Sequence, residues 1–192
     1  MDRMLRRAEV TTLRRQALGQ AAPPVLELGF GTGLNLACYP KCVREITAVD
    51  LHRPRLGFVR KRIAQASVKV DFQLGDAARL SLPDHSFATV VSTWFLCSVA
   101  QPAAVLAEIR RVLRPDGRYL FIEHGLSPHA QQRRLQNRLT PLTRFAACGC
   151  TLNRPIPALM RAAGLHLLTL QEHDLPSWGK ASGHLFLGAA KT

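Results

Sequence analysis

A glycine-rich turn near the start of the chain contains the first residues that could bind a ligand. The sequence Glu27-Leu-Gly29-Phe-Gly31-Thr-Gly33 follows a short apolar run and precedes a helical pattern, which is where nucleotide-binding turns lie. The dinucleotide spacing G-x-G-x-x-G is not met because its third glycine would fall at Leu34, and the Gly-Lys-Ser/Thr of a phosphate-binding loop is missing. Glu27 would repel a pyrophosphate. The turn therefore suits a cationic ligand.

Two aspartates follow the next strand-like segments. Asp50 lies 21 residues after Gly29 and ends an apolar run, where a carboxylate can accept hydrogen bonds from both hydroxyls of a ribose. Asp76 follows the third run and is placed to meet an adenine amino group. Each residue alone could be an ordinary turn glycine or surface aspartate. Together, and in this order, they predict a ligand with an adenine, a ribose, a positive charge and no phosphate, which describes S-adenosylmethionine.

Methyl transfer from that donor needs an acceptor that is aligned and has lost its proton. The reaction is an in-line displacement, so the reacting atoms must approach within about 3 to 3.5 Å. Ser92 and Thr93 end the fourth apolar run, where the donor methyl should project. His124 and His184 are the candidate bases because both lie at predicted strand ends and imidazole titrates near neutral pH, although each could instead be structural. A thiol, phenol or quinol is favoured over an amine by the apolar residues expected near the methyl group: Trp94, Phe95, Leu96 and Phe145.

The five cysteines are odd in number and irregularly spaced, which favours a reducing compartment such as the cytoplasm. Cys148-Gly-Cys150 could bind a soft metal or an arsenic-containing substrate. No histidine or further cysteine follows at metal-ligand spacing, and Cys38, Cys42 and Cys97 are predicted to be core residues. We therefore expect no metal.

Short β-branched runs alternate with helical patterns, which is typical of βαβ units and a mostly parallel sheet. The run over 87–92 is nearly all apolar, as a strand buried on both faces should be. Strands are predicted at 24–29, 45–50, 68–73, 87–92, 119–123, 166–171 and 183–189.

The helical patterns complete an α/β arrangement in one domain over 1–192, with an N-terminal helical segment over 1–22 and a helical substrate lid over 125–164. Thr140-Pro141 resembles an N-cap followed by a first-turn proline, so the lid helix should be broken there. Helices are predicted over about the first 19 residues, from about Thr32, and at 53–65, 102–113, 128–147 and 157–163, the last with Gly164 as its C-cap.

The composition limits the class of protein and the kinds of partner that this chain can have. The chain has 192 residues, 47% of them hydrophobic and 20% charged, which is enough to bury a core and argues against disorder. No apolar run reaches the roughly 18 residues of a membrane-spanning helix, and the basic N-terminus has no secretory apolar region. The net charge of +13 suggests an anionic partner, or simply solvated arginines. Six arginines and no acid lie in 127–161, so we expect either a peripheral contact with an anionic membrane or a solvated flank.

Several segments resemble the class I S-adenosylmethionine-dependent methyltransferases, in particular their quinone- and lipid-type small-molecule branch. They are VLELGFGTG (25–33), AVD (48–50), GDAARLSLPDHSFATVVS (75–92) and EIRRVLRPDGRYLFIEHG (108–125). LCSV (96–99), IEHG (122–125), GCTLNR (149–154) and GHLFLGAAK (183–191) are similar to the membrane-associated thiol methyltransferases of the methyltransferase-like seven group. That group's long hydrophobic N-terminal anchor has no counterpart in this sequence.

The resemblance implies a Rossmann-like seven-stranded sheet flanked by helices, with the last strand antiparallel, and S-adenosylhomocysteine as the product. The expected acceptor is a small molecule. A nucleic-acid methyltransferase is an alternative, but Ser92-Thr-Trp-Phe95 lacks the Asn/Asp-Pro-Pro-aromatic sequence of amino-methylating enzymes. A second alternative is a non-catalytic protein that binds S-adenosylmethionine. The sequence does not indicate the oligomeric state. The predicted donor-binding residues are Glu27, Gly29, Phe30, Gly31, Thr32, Gly33, Asp50, Leu51, Asp76, Ala77, Ser92 and Thr93.

Overall fold

The computed structural model describes residues 2–146, 149–179 and 181–192. Within this part of the chain, seven strands form a mixed sheet in the order β3-β2-β1-β4-β5-β7-β6. β7 is antiparallel to both of its neighbours, and the other pairings are parallel. The predicted sheet, including the antiparallel last strand, is confirmed. The strands are β1 (Val25–Leu28), β2 (Glu45–Asp50), β3 (Lys69–Leu74), β4 (Phe87–Thr93), β5 (Leu113–His124), β6 (His166–Asp174) and β7 (His184–Lys191).

Helices cover both faces of the sheet. One face packs against the core that includes α2 and α3, and the other packs against the core that includes α4 and α6. The central strands are apolar on both faces because each face meets one of these cores. The helices are α1 (Asp2–Leu5), α2 (Ala8–Leu18), α3 (Gly57–Gln65), α4 (Pro102–Val112), α5 (Ala130–Ala146) and α6 (Ile156–Ala162).

Two predicted helices are shorter than expected because of prolines. The helix predicted from Thr32 is only a 3₁₀ turn over Leu34–Ala37. Pro40 explains this, since it lacks an N–H group and disfavours helical geometry at the preceding residue. The helix predicted over 53–65 begins at Gly57, because Pro54 restrains Arg53 in the same way.

The break predicted at Thr140-Pro141 is wrong. α5 continues through Pro141 to Ala146, and Ala147 lies outside the described residues. The hydroxyl of Thr140 donates to the carbonyl of Gln136, and the buried side chain of Gln136 donates to the carbonyl of Gly125 and accepts from the amide of Ser127. These bonds hold the helix to the sheet on the N-terminal side of the proline.

The N-terminal segment forms two helices rather than one. Arg14 of α2 is buried, and its guanidinium donates to the carbonyl of Leu5 at the end of α1. This bond satisfies a terminal carbonyl that a continuous helix would have used, so α1 can turn away. Among the described residues, none of the helices combines the length and apolar character that crossing a bilayer requires.

Candidate active site

The glycine turn follows β1 and lies at the carboxyl ends of the parallel strands. Gly29, Gly31 and Gly33 all have positive φ angles, of 73°, 54° and 71°, which other residues adopt only with strain. The amide of Gly31 donates to one oxygen of the Asp50 carboxylate at 2.9 Å, and the amide of His52 donates to the other at 3.0 Å. Two predicted features, the turn and the β2 aspartate, therefore lie in direct contact.

The predicted adenine-side residues continue along the same edge. The amide of Gly75 donates to the backbone carbonyl of Asp50, which places the β3 loop beside the β2 end. Asp76 is exposed, and one of its carboxylate oxygens accepts from the amide of Ala78 at 2.9 Å. Leu51 is 62% exposed beside Asp50, whereas Ala77 is buried beneath the loop. The row from Gly29 to Asp76 follows the order expected for a nucleoside.

Glu27 is buried beneath the turn, and both of its carboxylate oxygens have protein partners. Asn35 donates to one oxygen at 2.9 Å, and the hydroxyl of Tyr39 donates to the other at 2.7 Å. Arg14 donates in turn to the side-chain oxygen of Asn35 at 3.0 Å. Burial raises the pKa of Glu27 to about 7, although the hydrogen bonds from Tyr39 and Asn35 and the charge of Arg14 oppose this shift. Burial lowers the pKa of Arg14 to about 10. Glu27 therefore supports the turn through a buried polar network.

The other predicted donor-site residues differ in how they are placed. Phe30 is buried, and its ring packs edge-on against Phe72. The hydroxyl of Thr32 donates to Asp2 of α1, so the N-terminal segment covers the turn. Thr93 exchanges hydrogen bonds with Asn35 and so joins the network beneath the turn. Ser92 has its partners on the far side of β4.

Ser92 helps to shape the loop that follows β4. Its hydroxyl lies 2.7 Å from the Tyr119 hydroxyl and donates to Glu123 at 2.7 Å. Glu123 is fully buried and also accepts from the backbone amides of the three residues 95–97. Burial raises the pKa of Glu123, against the lowering effect of these donors. Sequence analysis missed Glu123, although it lies in the IEHG motif. Its role is to hold the β4 loop in place.

The two candidate bases point to opposite faces of the sheet. His124 continues the alternating row of Leu120 and Ile122, which belong to the core on the α2 side. His184 packs edge-on against Phe186, which belongs to the core on the α4 side, and its Nδ1 lies 3.0 Å from Asp174. A single acceptor therefore cannot contact both imidazoles, and only His124 lies beside the loop that follows β4.

His124 lines a cavity of about 180 Å³ at the carboxyl ends of β4 and β5. Three rings form one part of the wall: the Trp94 and Trp178 rings lie 5.8 Å apart, and His124 meets the Trp178 ring at 5.4 Å. The guanidinium of Arg14 lies over the Trp94 ring at 4.5 Å. The β4 loop borders the glycine turn as well, because the Phe95 ring leaves no room for a side chain at Gly29. The cavity and the glycine turn are therefore neighbours.

Two cysteines lie in the same cavity, which the sequence did not predict. Cys97 and Cys150 are buried, and Cys150 Sγ lies 3.6 Å from His124 Nδ1. A hydrogen bond with Cys150 and burial together raise the pKa of Cys97 well above its usual value. Cys148, the other half of the predicted thiolate pair, lies outside the described residues. Cys38 is buried near α2, as predicted, but Cys42 is exposed.

Comparisons with known proteins agree with this arrangement. The sequence pattern described as "Methyltransferase domain" matches residues 26–121, which include the glycine turn, both aspartates and the β4 loop. Thiol S-methyltransferase TMT1B from Homo sapiens is 36% identical over 174 residues, covering 87% of this chain and 70% of that protein. The chain belongs to the class I S-adenosylmethionine-dependent methyltransferases. TMT1B from Rattus norvegicus is also 36% identical over 135 residues. The match covers 68% of this methyltransferase and only 54% of the rat protein.

A solved structure supports the same fold for this methyltransferase. The 1,6-didemethyltoxoflavin-N1-methyltransferase of Burkholderia thailandensis, determined with 1,6-didemethyltoxoflavin and S-adenosylhomocysteine, aligns with a TM-score of 0.67 at 22% identity. The alignment covers 96% of this chain and 77% of that one. Donor binding is a property of the family, whereas the assignment of individual residues to it stays a prediction.

Proposed function

We propose that this methyltransferase transfers the methyl group of S-adenosylmethionine to the sulfur of a small, apolar thiol. The observation that carries the proposal is the cavity of about 180 Å³ beside the glycine turn. Trp94, Trp178 and Leu152 form part of its apolar wall, and Cys97 and His124 are among its polar members. Sulfur is polarisable and makes favourable contacts with aromatic rings, so this lining supports a sulfur nucleophile.

The donor would lie along the row from the glycine turn to Asp76. The Asp50 carboxylate, held by two backbone amides, is oriented to accept from the ribose hydroxyls. Glu27 and Asn35 would then hold the turn beneath the methionine part of the donor, without direct contact between Glu27 and the ligand. His124 is the group of the cavity that could take the thiol proton, and His184 faces away from it.

The acceptor class is tested with labelled S-adenosylmethionine and matched pairs of compounds that differ only in sulfur or oxygen, together with quinols, amines, lipid vesicles and oligonucleotides. We expect label in the thioethers. Leu152→Phe should fill the cavity and lower thiol turnover without weakening S-adenosylhomocysteine binding, and Leu168→Phe, at a 44% exposed position on β6, is the control. Label only in oligonucleotides would instead support a nucleic-acid enzyme, and binding without turnover would support a non-catalytic protein.

The proposed location is the cytoplasm, at the surface of an anionic membrane. Leu142 and Phe145 near the end of α5 are 61% and 92% exposed, while Arg134 and Arg138 are exposed on the same helix. An aromatic tip with surrounding basic residues suits insertion at a lipid headgroup region, and each basic residue near an anionic surface contributes about 1 kcal/mol. The thiol cavity opens beneath the same helix, since Thr143 lines it. An apolar acceptor dissolved in lipid would therefore have a short path to the site.

A further inference from the structure

Three possible metal ligands meet in the cavity described above. Cys97 follows β4, His124 ends β5 and Cys150 follows α5, so they come from three separate parts of the chain. Their ligand atoms all lie within 4.8 Å of one another, and all three residues are buried. No local sequence spacing brings them together. The topology of the sheet does so, because β4 and β5 are neighbours and α5 packs over their carboxyl ends.

The measured separation fits tetrahedral zinc. With Zn–S bonds of about 2.3 Å and Zn–N bonds of about 2.0 to 2.1 Å, tetrahedral angles place a sulfur about 3.6 Å from a nitrogen and about 3.8 Å from another sulfur. Cys150 Sγ and His124 Nδ1 are 3.6 Å apart. A divalent ion would therefore fit between these two side chains with little movement, and Cys97 lies close enough to supply the third bond.

The surroundings hold the ligands in place. His124 is 8% exposed, and its ring packs against the Trp94 and Trp178 rings while its Nδ1 lies 3.6 Å from Cys150 Sγ. Two thiolates would neutralise a divalent ion, which suits an apolar cavity. The guanidinium of Arg154 donates to the carbonyls of Leu96 and Val99 on either side of Cys97, which fixes the backbone that carries this ligand.

We propose that Cys97, His124 and Cys150 bind one Zn²⁺, with the fourth coordination position open to the cavity for the sulfur of the acceptor. The site has the three protein ligands and one exchangeable position that distinguish catalytic from structural zinc. This inference rests on the proposed thiol acceptor and adds how that thiol is activated. The proposed zinc site differs from the expectation drawn from the sequence that no metal is bound. That expectation considered only ligands that lie close to Cys148 and Cys150 in sequence.

The chemistry balances without another reactant. The acceptor R–SH gives its proton to water and binds the ion as R–S⁻, displacing the water on the metal. A lone pair of the bound sulfur attacks the donor methyl carbon while the carbon–sulfur bond of the sulfonium breaks, and that electron pair remains on the sulfur of S-adenosylhomocysteine. The neutral thioether R–S–CH₃ binds zinc weakly and leaves. His124 acts in this scheme as a ligand and not as the base.

Metal binding is measured directly, without reference to turnover. Protein stripped by a chelator under reducing conditions should take up one Zn²⁺ per chain, and Co²⁺ should give the thiolate charge-transfer and tetrahedral absorption bands. Even loss of an outer hydrogen bond weakens a metal site about 10- to 100-fold, so Cys97→Ser and Cys150→Ser should weaken binding by at least about 100-fold. Cys38→Ser, at a buried cysteine outside the cluster, is the matched control. Absence of stoichiometric Zn²⁺ or of the Co²⁺ bands in the wild-type protein would overturn the proposal.

A second variant separates a ligand from a base. His124→Cys keeps a zinc ligand but removes the imidazole, so it should retain Zn²⁺ and a measurable part of the thiol methylation, whereas His124→Ala should lose both. Full thiol methylation by zinc-free protein would overturn the metal's role and leave the proposed function standing. Zinc binding together with methylation of non-thiol acceptors alone would overturn the thiol assignment and the role of the fourth position. S-adenosylhomocysteine binding by each variant verifies that it is folded.

Discussion

Replacing Glu27 by glutamine should change the pH dependence of stability by a predictable amount. The pKa of Glu27 rises from 4.5 to about 7 on burial. The folded protein therefore binds more protons than the unfolded chain between these two values, so this residue lowers the free energy of unfolding as pH rises through that window. The full pKa difference corresponds to about 3 kcal/mol, lost progressively from pH 4.5 and constant above about pH 7.

Glutamine is close in shape to the protonated carboxyl and can keep a contact with both neighbours. Its amide oxygen can accept from Asn35, and its amide nitrogen can donate to the Tyr39 hydroxyl. The second amide hydrogen and the Tyr39 hydroxyl hydrogen are left without these acceptors, but that cost does not depend on pH. We expect the free energy of unfolding of Glu27→Gln, relative to the wild type, to rise by about 3 kcal/mol between pH 4.5 and pH 8.

Urea unfolding of the ligand-free protein at several pH values measures this difference. Glu9→Gln, at an exposed position on α2, should leave the pH dependence of the wild type unchanged. A constant difference between Glu27→Gln and the wild type from pH 4.5 to pH 8 would refute the reasoning, because it would show that the buried carboxyl does not take up a proton in this window.

Three further predictions concern the turn, the ribose site and the membrane. Gly29→Ala should destabilise the fold by about 1 to 3 kcal/mol in thermal unfolding, because φ is +73° and a Cβ would meet the Phe95 ring at 2.2 Å; Gly57→Ala, where nothing lies within 4 Å, should not. Asp50→Asn should weaken S-adenosylhomocysteine binding about 10- to 150-fold in calorimetry, since a charge-assisted bond contributes about 1.5 to 3 kcal/mol, and an unchanged affinity would remove Asp50 from the ribose site. Replacing both Arg134 and Arg138 by alanine should lower binding to phosphatidylserine vesicles roughly thirtyfold at low salt, and equal sedimentation of the variant and wild type would leave the helix as a soluble cover.

The strands and the glycine turn could be predicted because their signals are local. Burial on both faces makes β4 apolar without alternation, and the positive φ angles of the turn require glycine, so both leave a mark in a short stretch of sequence. Asp50 meets Gly31 because neighbouring parallel strands end on the same side of a sheet, and its role toward the ribose stays a prediction.

The cluster of Cys97, His124 and Cys150 could not be predicted, since it depends on contacts between distant residues. Cys97 and Cys150 are 53 positions apart, and neither has a neighbour in sequence that indicates a shared site. The face of a strand-end histidine depends on register, because a shift of one residue reverses it, and this separates His124 from His184. The continuous α5 was missed because the buried Gln136 holds the helix through tertiary hydrogen bonds that a proline signal does not reveal.

The proposed acceptor thiol enters the cavity between Trp94 and Trp178, beside the glycine turn. A crystal structure of the protein with S-adenosylhomocysteine and an apolar thiol would show whether it does. We predict that the adenosine lies along Asp50 and Asp76, and that the thiol sulfur lies in the cavity within about 3.5 Å of the place of the donor methyl. A thiol bound instead in the larger cavity of about 660 Å³ beside α3, with the space between the two tryptophans unfilled, would contradict the account.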